Sequence, residues 1–363
     1  MTGNSLAGAL VVRTASQIVP AYRGKLETCK EALLEDQGLH HLAYYTGGVL
    51  DFAVDVLAHI LPVPPGDSEA LDRRREVFRR VGAQLVYRMV QMTRRLRVLR
   101  SGSLIRAVVQ TDQGVVFCNQ VVGEQCIVVF GLTPESTGWT GTPVTRLSDT
   151  LAEDRAAALL ATYLRALMSQ TTLNPGGWLT TPDIGDPDRA WPPAVRAGQP
   201  LPVYRQGTRD EPVYLQGTRD EPVYRQGSWD EPADLLRAAV EPDLLHYVAY
   251  HQDGHQFCTA DVLDHENIAQ FFSRLISPAD RRSQYDRLGR ELGVIVLQMA
   301  MDLAPAIGGT ISRLVLDVEQ GAVYYYRLSN GDYLVGVTVD QDRVSIADDR
   351  MARLATSCEQ RMT

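Results

Sequence analysis

Ile311-Ser-Arg-Leu-Val-Leu-Asp-Val-Glu-Gln-Gly-Ala-Val-Tyr-Tyr-Tyr-Arg-Leu-Ser-Asn-Gly-Asp-Tyr-Leu-Val-Gly-Val-Thr-Val-Asp340 reads as three β-strands joined by two tight turns. Thr310 to Val318 carries Ile311, Leu314 and Leu316 among its apolar positions, Ala322 to Leu328 holds three consecutive tyrosines, and Tyr333 to Val339 closes the set. β-Branched and aromatic side chains suit a pleated, half-buried surface. The turns are Glu319-Gln320-Gly321 and Ser329-Asn330-Gly331-Asp332, and Asn-Gly supplies the positive φ that a short hairpin demands.

Upstream, Ser277-Pro278-Ala279-Asp280 has the form of a helix start, with Ser as cap and Pro in the first turn. That helix runs from Asp280 to about Leu303, where Ala304-Pro305 and Gly308-Gly309 end it. Leu245 to Tyr250 and His255 to Asp261 form a hairpin turning at Asp253-Gly254, followed by a polar helical start at Asp264 with Phe271, Phe272 and Leu275 as its apolar face. A short helix at Asp234 to Val240 opens the unit, and another from Asp342 to about Arg361 closes it. The order α-β-β-α-β-β-β-α predicts an α+β fold: an α/β/α layered domain with a five-stranded antiparallel sheet.

The same unit occurs earlier in the chain. Leu39-His-His-Leu-Ala-Tyr-Tyr-Thr-Gly-Gly48 aligns with Leu245-His-Tyr-Val-Ala-Tyr-His-Gln-Asp-Gly254 at a shift of 206, ungapped to His59 and His265. Nine of those 21 pairs are identical, including His40/His246, Asp55/Asp261 and His59/His265. A second ungapped block, at a shift of 207, pairs Gly82, Gln91, Arg106, Val108 and Gln113 with Gly289, Gln298, Arg313, Val315 and Gln320. Ala152-Glu-Asp-Arg155 then matches Ala347-Asp-Asp-Arg350 at a shift of 195, so the first copy carries about twelve extra residues before its last helix. The expected organisation is a first copy at 16–170, a Gly/Pro-rich linker at 171–232, and a second copy at 233–361.

Within the linker, 202–231 are three near-identical decapeptides of the form Pro-Val-Tyr-Arg-Gln-Gly-Thr-Arg-Asp-Glu, the second with Leu215 and the third with Ser228-Trp229. Such composition predicts a flexible, partly extended tether. Expansion of a short coding repeat accounts for it; a multivalent peptide ligand built on Tyr204, Tyr214 and Tyr224 is the alternative.

The element order, with the stretch from Ile311 to Asp340, resembles the Roadblock/dynein-light-chain family, whose strands are joined by an acidic-Gly turn and a Gly-Asp turn. The resemblance spans nearly all of the second copy and, through the duplication, most of the first. It implies a profilin-like fold and a non-catalytic module that dimerises and binds or regulates Ras-like small GTPases; some bacterial relatives look like GTPase-activating partners. This chain departs in being a tandem and in its long middle helix with a Pro break. An exposed sheet edge invites cover, and a tethered twin supplies it at high effective concentration. We therefore expect the two copies to associate within one chain.

With 363 residues, 45% apolar and 22% charged, the chain has the composition of soluble globular protein. A net charge of −8 argues against nucleic acid as a whole-protein partner. Five cysteines without a C-x-x-C pair point to a reduced, cytoplasmic setting. No basic region precedes the apolar start and no apolar run approaches the ~20 residues of a membrane span, so neither a signal peptide nor a span is expected.

The most unusual local feature follows a turn at Pro62–Gly66. In the arginine-rich helix 68–100, Val77, Val81, Leu85, Met89, Met92, Leu96 and Leu99 form one apolar stripe. The remaining faces carry ten arginines against Asp72 and Glu76. Arg73, Arg74, Arg79, Arg80, Arg88 and Arg95 are the candidate partner-binding residues, facing an acidic partner, the other copy or a nucleotide-loaded GTPase. A solvated amphipathic helix is the plain alternative.

No catalytic site is expected. G-x-x-x-x-G-K-[ST], G-x-S-x-G, H-E-x-x-H and G-x-G-x-x-G are missing from the sequence. His40, His59, His246 and His265 recur between copies without a Cys or carboxylate set at ligand spacing, so neither metal nor cofactor is expected. A small-ligand sensory module, with a pocket lined by Tyr44, Tyr250, Tyr324 and Tyr325, and a structural subunit of a larger assembly are the competing readings.

Overall fold

The computed structural model describes residues 9–15, 20–35, 37–61, 68–132, 151–169, 213–214, 224–227, 231–271 and 276–362. The first copy runs β1 (Val11–Thr14), α1 (Pro20–Leu34), β2 (His41–Thr46), β3 (Val49–Asp55), α2 (Ser68–Leu96), β4 (Leu104–Thr111), β5 (Gly114–Gln120), β6 (Gln125–Leu132) and α3 (Leu151–Ser169). After β7 (Val213–Tyr214), the second repeats that order as β8 (Tyr224–Gly227), α4 (Glu231–Ala239), β9 (Tyr247–Gln252), β10 (His255–Asp261), α5 (Pro278–Leu303), β11 (Ile311–Val318), β12 (Gly321–Arg327), β13 (Tyr333–Thr338) and α6 (Val344–Met362). The Pro62–Gly66 turn, Phe272, Leu275, the extra residues before α3 and most of 171–232 lie outside the described residues.

Local chemistry accounts for these elements. At the start of α5, Ser277 Oγ accepts from the Asp280 amide at 3.1 Å, and the Asp280 carboxylate accepts from the Ser277 amide at 3.3 Å. This reciprocal capping box satisfies two amides that the first helical turn leaves orphaned. The β9–β10 hairpin turns through Asp253 and Gly254 at φ of 51° and 78°, the left-handed pair such a turn requires.

The expected five-stranded sheets require a correction. One antiparallel sheet runs β1-β3-β2-β6-β5-β4-β11-β12-β13-β9-β10-β8-β7. Eleven strands belong to the copies' own elements or to β1, and the last two come from the linker, making thirteen. The five strands read in each copy are present, but β4 of the first copy pairs with β11 of the second, so neither sheet ends there. An edge strand exposes unpaired N–H and C=O groups, and each copy covers the other's.

The seam has an internal symmetry. Val108 stands opposite Val315, and these two are duplication partners of each other. Arg106 faces Asp317 while its duplicate Arg313 faces Gln110, the duplicate of Asp317. The copies are thus related by an approximate twofold through the middle of the β4–β11 ladder.

Helices cover both faces. α1 packs on α3 and α4 on α6 on one side, while α2 and α5 meet on the other. The triple tyrosine shows the alternation: Tyr324 and Tyr326 donate to Val344 O and Asp348 Oδ1 of α6, whereas Tyr325 lies against Tyr333.

Candidate protein-interaction face

α2 and α5 lie antiparallel across the seam, and the arginines of α2 divide into three sets. Arg74, Arg88 and Arg95 face the second copy. Arg74 donates to the carbonyls of Pro305 and Ala306 at 2.7 and 2.8 Å, where the end of α5 leaves carbonyl groups short of partners. Arg88 pairs with Asp302 at 2.6 Å and Arg95 with Glu291 at 3.2 Å.

A second set serves the first copy itself. Arg75, read in sequence among the outward-facing arginines, is buried, with its Nε 3.0 Å from both Asp55 oxygens. Its duplicate Arg282 grips Asp261 at 2.7 and 2.8 Å. Each pair ties the last core strand of the hairpin to the following long helix. Asp55 and Asp261 were visible as a recurring pair in the sequence; the arginines were not, because ten arginines on one helix hid the single buried one. Arg79 pairs with Glu76, and its carbonyl accepts the Tyr45 hydroxyl at 2.7 Å.

The third set points outward. Arg73 pairs with Glu69 one turn away, an exposed contact worth little. Arg80 and Arg94, with Arg97 and Arg100 in the turn that follows α2, are exposed and have no ion-pair partner among the described residues.

Between these charges lies apolar surface. Among the described residues, six of the eight large hydrophobic side chains left exposed sit on α2, the turn after it and α5: Tyr87, Val90, Val98, Val294, Leu297 and Met301. Tyr87/Val294 and Val90/Leu297 are duplication partners, so the same surface position is apolar twice. Contiguous exposed apolar surface rimmed by polar groups marks an interaction site. Two open grooves flank it. One is lined by Arg95, Arg287, Arg290 and Val294, the other by Arg97, Val98, Arg100 and Asp280. Sequence reading singled out the arginines and not the apolar positions, because Val294, Leu297 and Met301 recur at the same helical spacing as the core stripe beside them.

Two of the recurring histidines, His40 and His246, have a structural role. His40 Nδ1 accepts from the Leu132 amide at 2.8 Å, and His246 Nδ1 accepts from Val339 at 3.1 Å, so each secures the end of the last strand of its copy. Burial drives the His246 pKa down to about 4 and that of His41 to about 3. Among the described residues no group of three His, Cys, Asp or Glu side chains is placed to hold a metal. Three of the four tyrosines considered for a pocket spend their hydroxyls internally: Tyr44 on Gln125, Tyr250 on Asp332 and Tyr324 on Val344. No helix of the described residues is long and apolar enough to cross a membrane.

No family model matches the chain, and no curated protein matches it. Among solved structures, it is similar to "MglB with tetrameric arrangement" at 14% identity, covering 42% of this chain and 95% of that one with a TM-score of 0.27. It is also similar to the gliding protein MglB from Thermus thermophilus, at 14% identity, the same coverages and a TM-score of 0.28.

Proposed function

We propose that this chain is a non-catalytic regulator or scaffold of the cytoplasm whose two copies act as a built-in pseudo-dimer, presenting the α2/α5 face to a protein partner. The observation that carries this reading is the coincidence, on one face of the described residues, of six exposed apolar side chains and four arginines outside any ion pair. Such a face fits a folded partner with an apolar contact patch and an acidic rim. A Ras-like small GTPase is the partner that the Roadblock-like strand pattern favours.

The test is binding of purified Ras-like GTPases from the source organism, loaded with GDP or a GTP analogue, to the full chain by biolayer interferometry. Binding that Tyr87→Glu with Leu297→Glu abolishes supports the reading. Binding of none of them, or binding that survives the double variant, removes it.

A further inference from the structure

The decapeptide tether is not wholly free of the fold. Tyr224–Gly227 of the third repeat forms β8 on the outer edge of β10, with Tyr224, Arg225, Gln226 and Gly227 opposite Asp261, Ala260, Thr259 and Cys258. Val213–Tyr214 of the second repeat adds β7 outside it. In the first copy the same edge is covered by β1, where Val11, Val12, Arg13 and Thr14 stand opposite Asp55, Val54, Ala53 and Phe52. Those partners are the duplicates of the β10 residues, so β1 and β8 occupy one site in one register.

Their sequences, Val-Val-Arg-Thr and Tyr-Arg-Gln-Gly, have nothing in common position by position. An edge that accepts both in one register recognises main chain, as β-augmentation sites do. The tether offers such a strand three times, as Tyr204-Arg-Gln-Gly207, Tyr214-Leu-Gln-Gly217 and Tyr224-Arg-Gln-Gly227, ten residues apart.

We propose that the outer edge of β10 is a strand-acceptor site that recognises extended main chain, and that the three Tyr-x-Gln-Gly repeats are interchangeable ligands for it. Tethering holds the repeats at high local concentration, so one replaces another without a second chain. Each exchange shifts the boundary between seated strand and free tether by ten residues, as the repeat spacing dictates. The bland account of the repeats as an unselected expansion does not require any repeat but the third to fit.

Hydrogen–deuterium exchange of the full chain, read on 255–261, tests this. Proline cannot donate to a ladder, so Gln226→Pro, at the position whose main chain faces Thr259 of β10, unseats the third repeat. With the second able to take its place, exchange of β10 rises less than about threefold, whereas Gln206→Pro, Gln216→Pro and Gln226→Pro together raise it by about tenfold or more. Adding the synthetic decapeptide Pro-Val-Tyr-Arg-Gln-Gly-Thr-Arg-Asp-Glu to the triple variant restores the protection. Interchange is overturned if Gln226→Pro alone exposes β10 as fully as the triple change. The acceptor site is overturned if the triple change leaves β10 protected, or if the peptide restores nothing.

Discussion

Arg106 of β4 stands opposite Asp317 of β11, and its Nη1 donates to Asp317 Oδ2 at 2.9 Å where both side chains are buried. The pair bridges the two copies within a larger cluster. Arg106 also meets Asp154 of α3, and Arg313 meets Asp348 of α6 and lies 3.6 Å from Asp154. Two arginines therefore face three carboxylates. Burial raises the Asp317 pKa, and the Arg106 guanidinium opposes that shift. Asp317→Ala removes the carboxylate that bridges the copies but leaves Arg106 with Asp154, so the loss is that of a charged hydrogen bond, about 1–3 kcal/mol, and not of a wholly stranded charge. Asp317→Ala is accordingly expected to lower unfolding stability by that order, measured by urea denaturation.

One departure from the approximate twofold has a reason that this cluster supplies. Gln110 occupies the position of Asp317 and accepts from Arg313 at 3.3 Å. A fourth buried carboxylate there would outnumber the arginines two to one. Gln110→Asp is expected to destabilise by about 1–3 kcal/mol, the cost of an uncompensated buried charge. An unchanged urea midpoint would show that the cluster has room for it.

Gly82 and Gly289, identical between the copies, let a β-strand side chain abut the long helix. A Cβ at Gly289 would lie 2.6 Å from His251 Nε2, on a ring stacked 4.7 Å from Tyr333. A Cβ at Gly82 would strike the Tyr45 hydroxyl. Alanine gains up to about 1 kcal/mol of helix propensity, and overpacking costs about 1–3 kcal/mol. Net destabilisation in both variants is the expected result of thermal denaturation.

His246 makes the fold sensitive to acid. Its Nδ1 accepts from Val339 and its Nε2 lies 2.9 Å from Pro242 O, so a second ring proton would face an amide N–H. With its pKa at about 4 in the fold and an ordinary value of 6.5, the unfolded chain binds the extra proton first. Its contribution is complete above the ordinary value and is lost as pH falls towards the folded one, on the order of 3 kcal/mol in all. His246→Asn keeps an acceptor for Val339 and removes the titration. The stability difference between parent and variant should shrink from pH 7 to pH 4.5.

The arginines of α2 separate by position. Arg88→Glu opposes Asp302 and should weaken the α2/α5 packing, seen as a lower denaturation midpoint. Arg80→Glu, on an exposed side chain, should leave stability within about 0.5 kcal/mol and reduce partner binding, as charge reversal on an interaction face does.

The succession of elements along the chain, the hairpins and the α5 cap were legible because each rests on residues close in sequence: Asp253-Gly254, Asn330-Gly331, Ser277 with Asp280. Boundaries shifted by one to three residues, as when the helix read from Asp234 began at Glu231. What the sequence concealed is non-local. The duplication told that two similar sheets existed, but the partner of an edge strand is fixed by another edge far along the chain. Val108 and Val315 look like any other core residues until the ladder sets them face to face. Of the candidate interaction face, only the charges were legible. Arg80 stood out by charge, while the role of Arg75 depended on Asp55, twenty residues away on β3.

Amide exchange of β4 and β11 in the full chain bears most directly on the joining of the copies. With β4 and β11 paired, amides throughout Leu104–Thr111 and Ile311–Val318 should exchange as slowly as those of β5 and β12, since all four strands are interior to the sheet. Rapid exchange at alternate positions of both strands, with β5 and β12 still protected, would mean two separate edges and would contradict the continuous sheet.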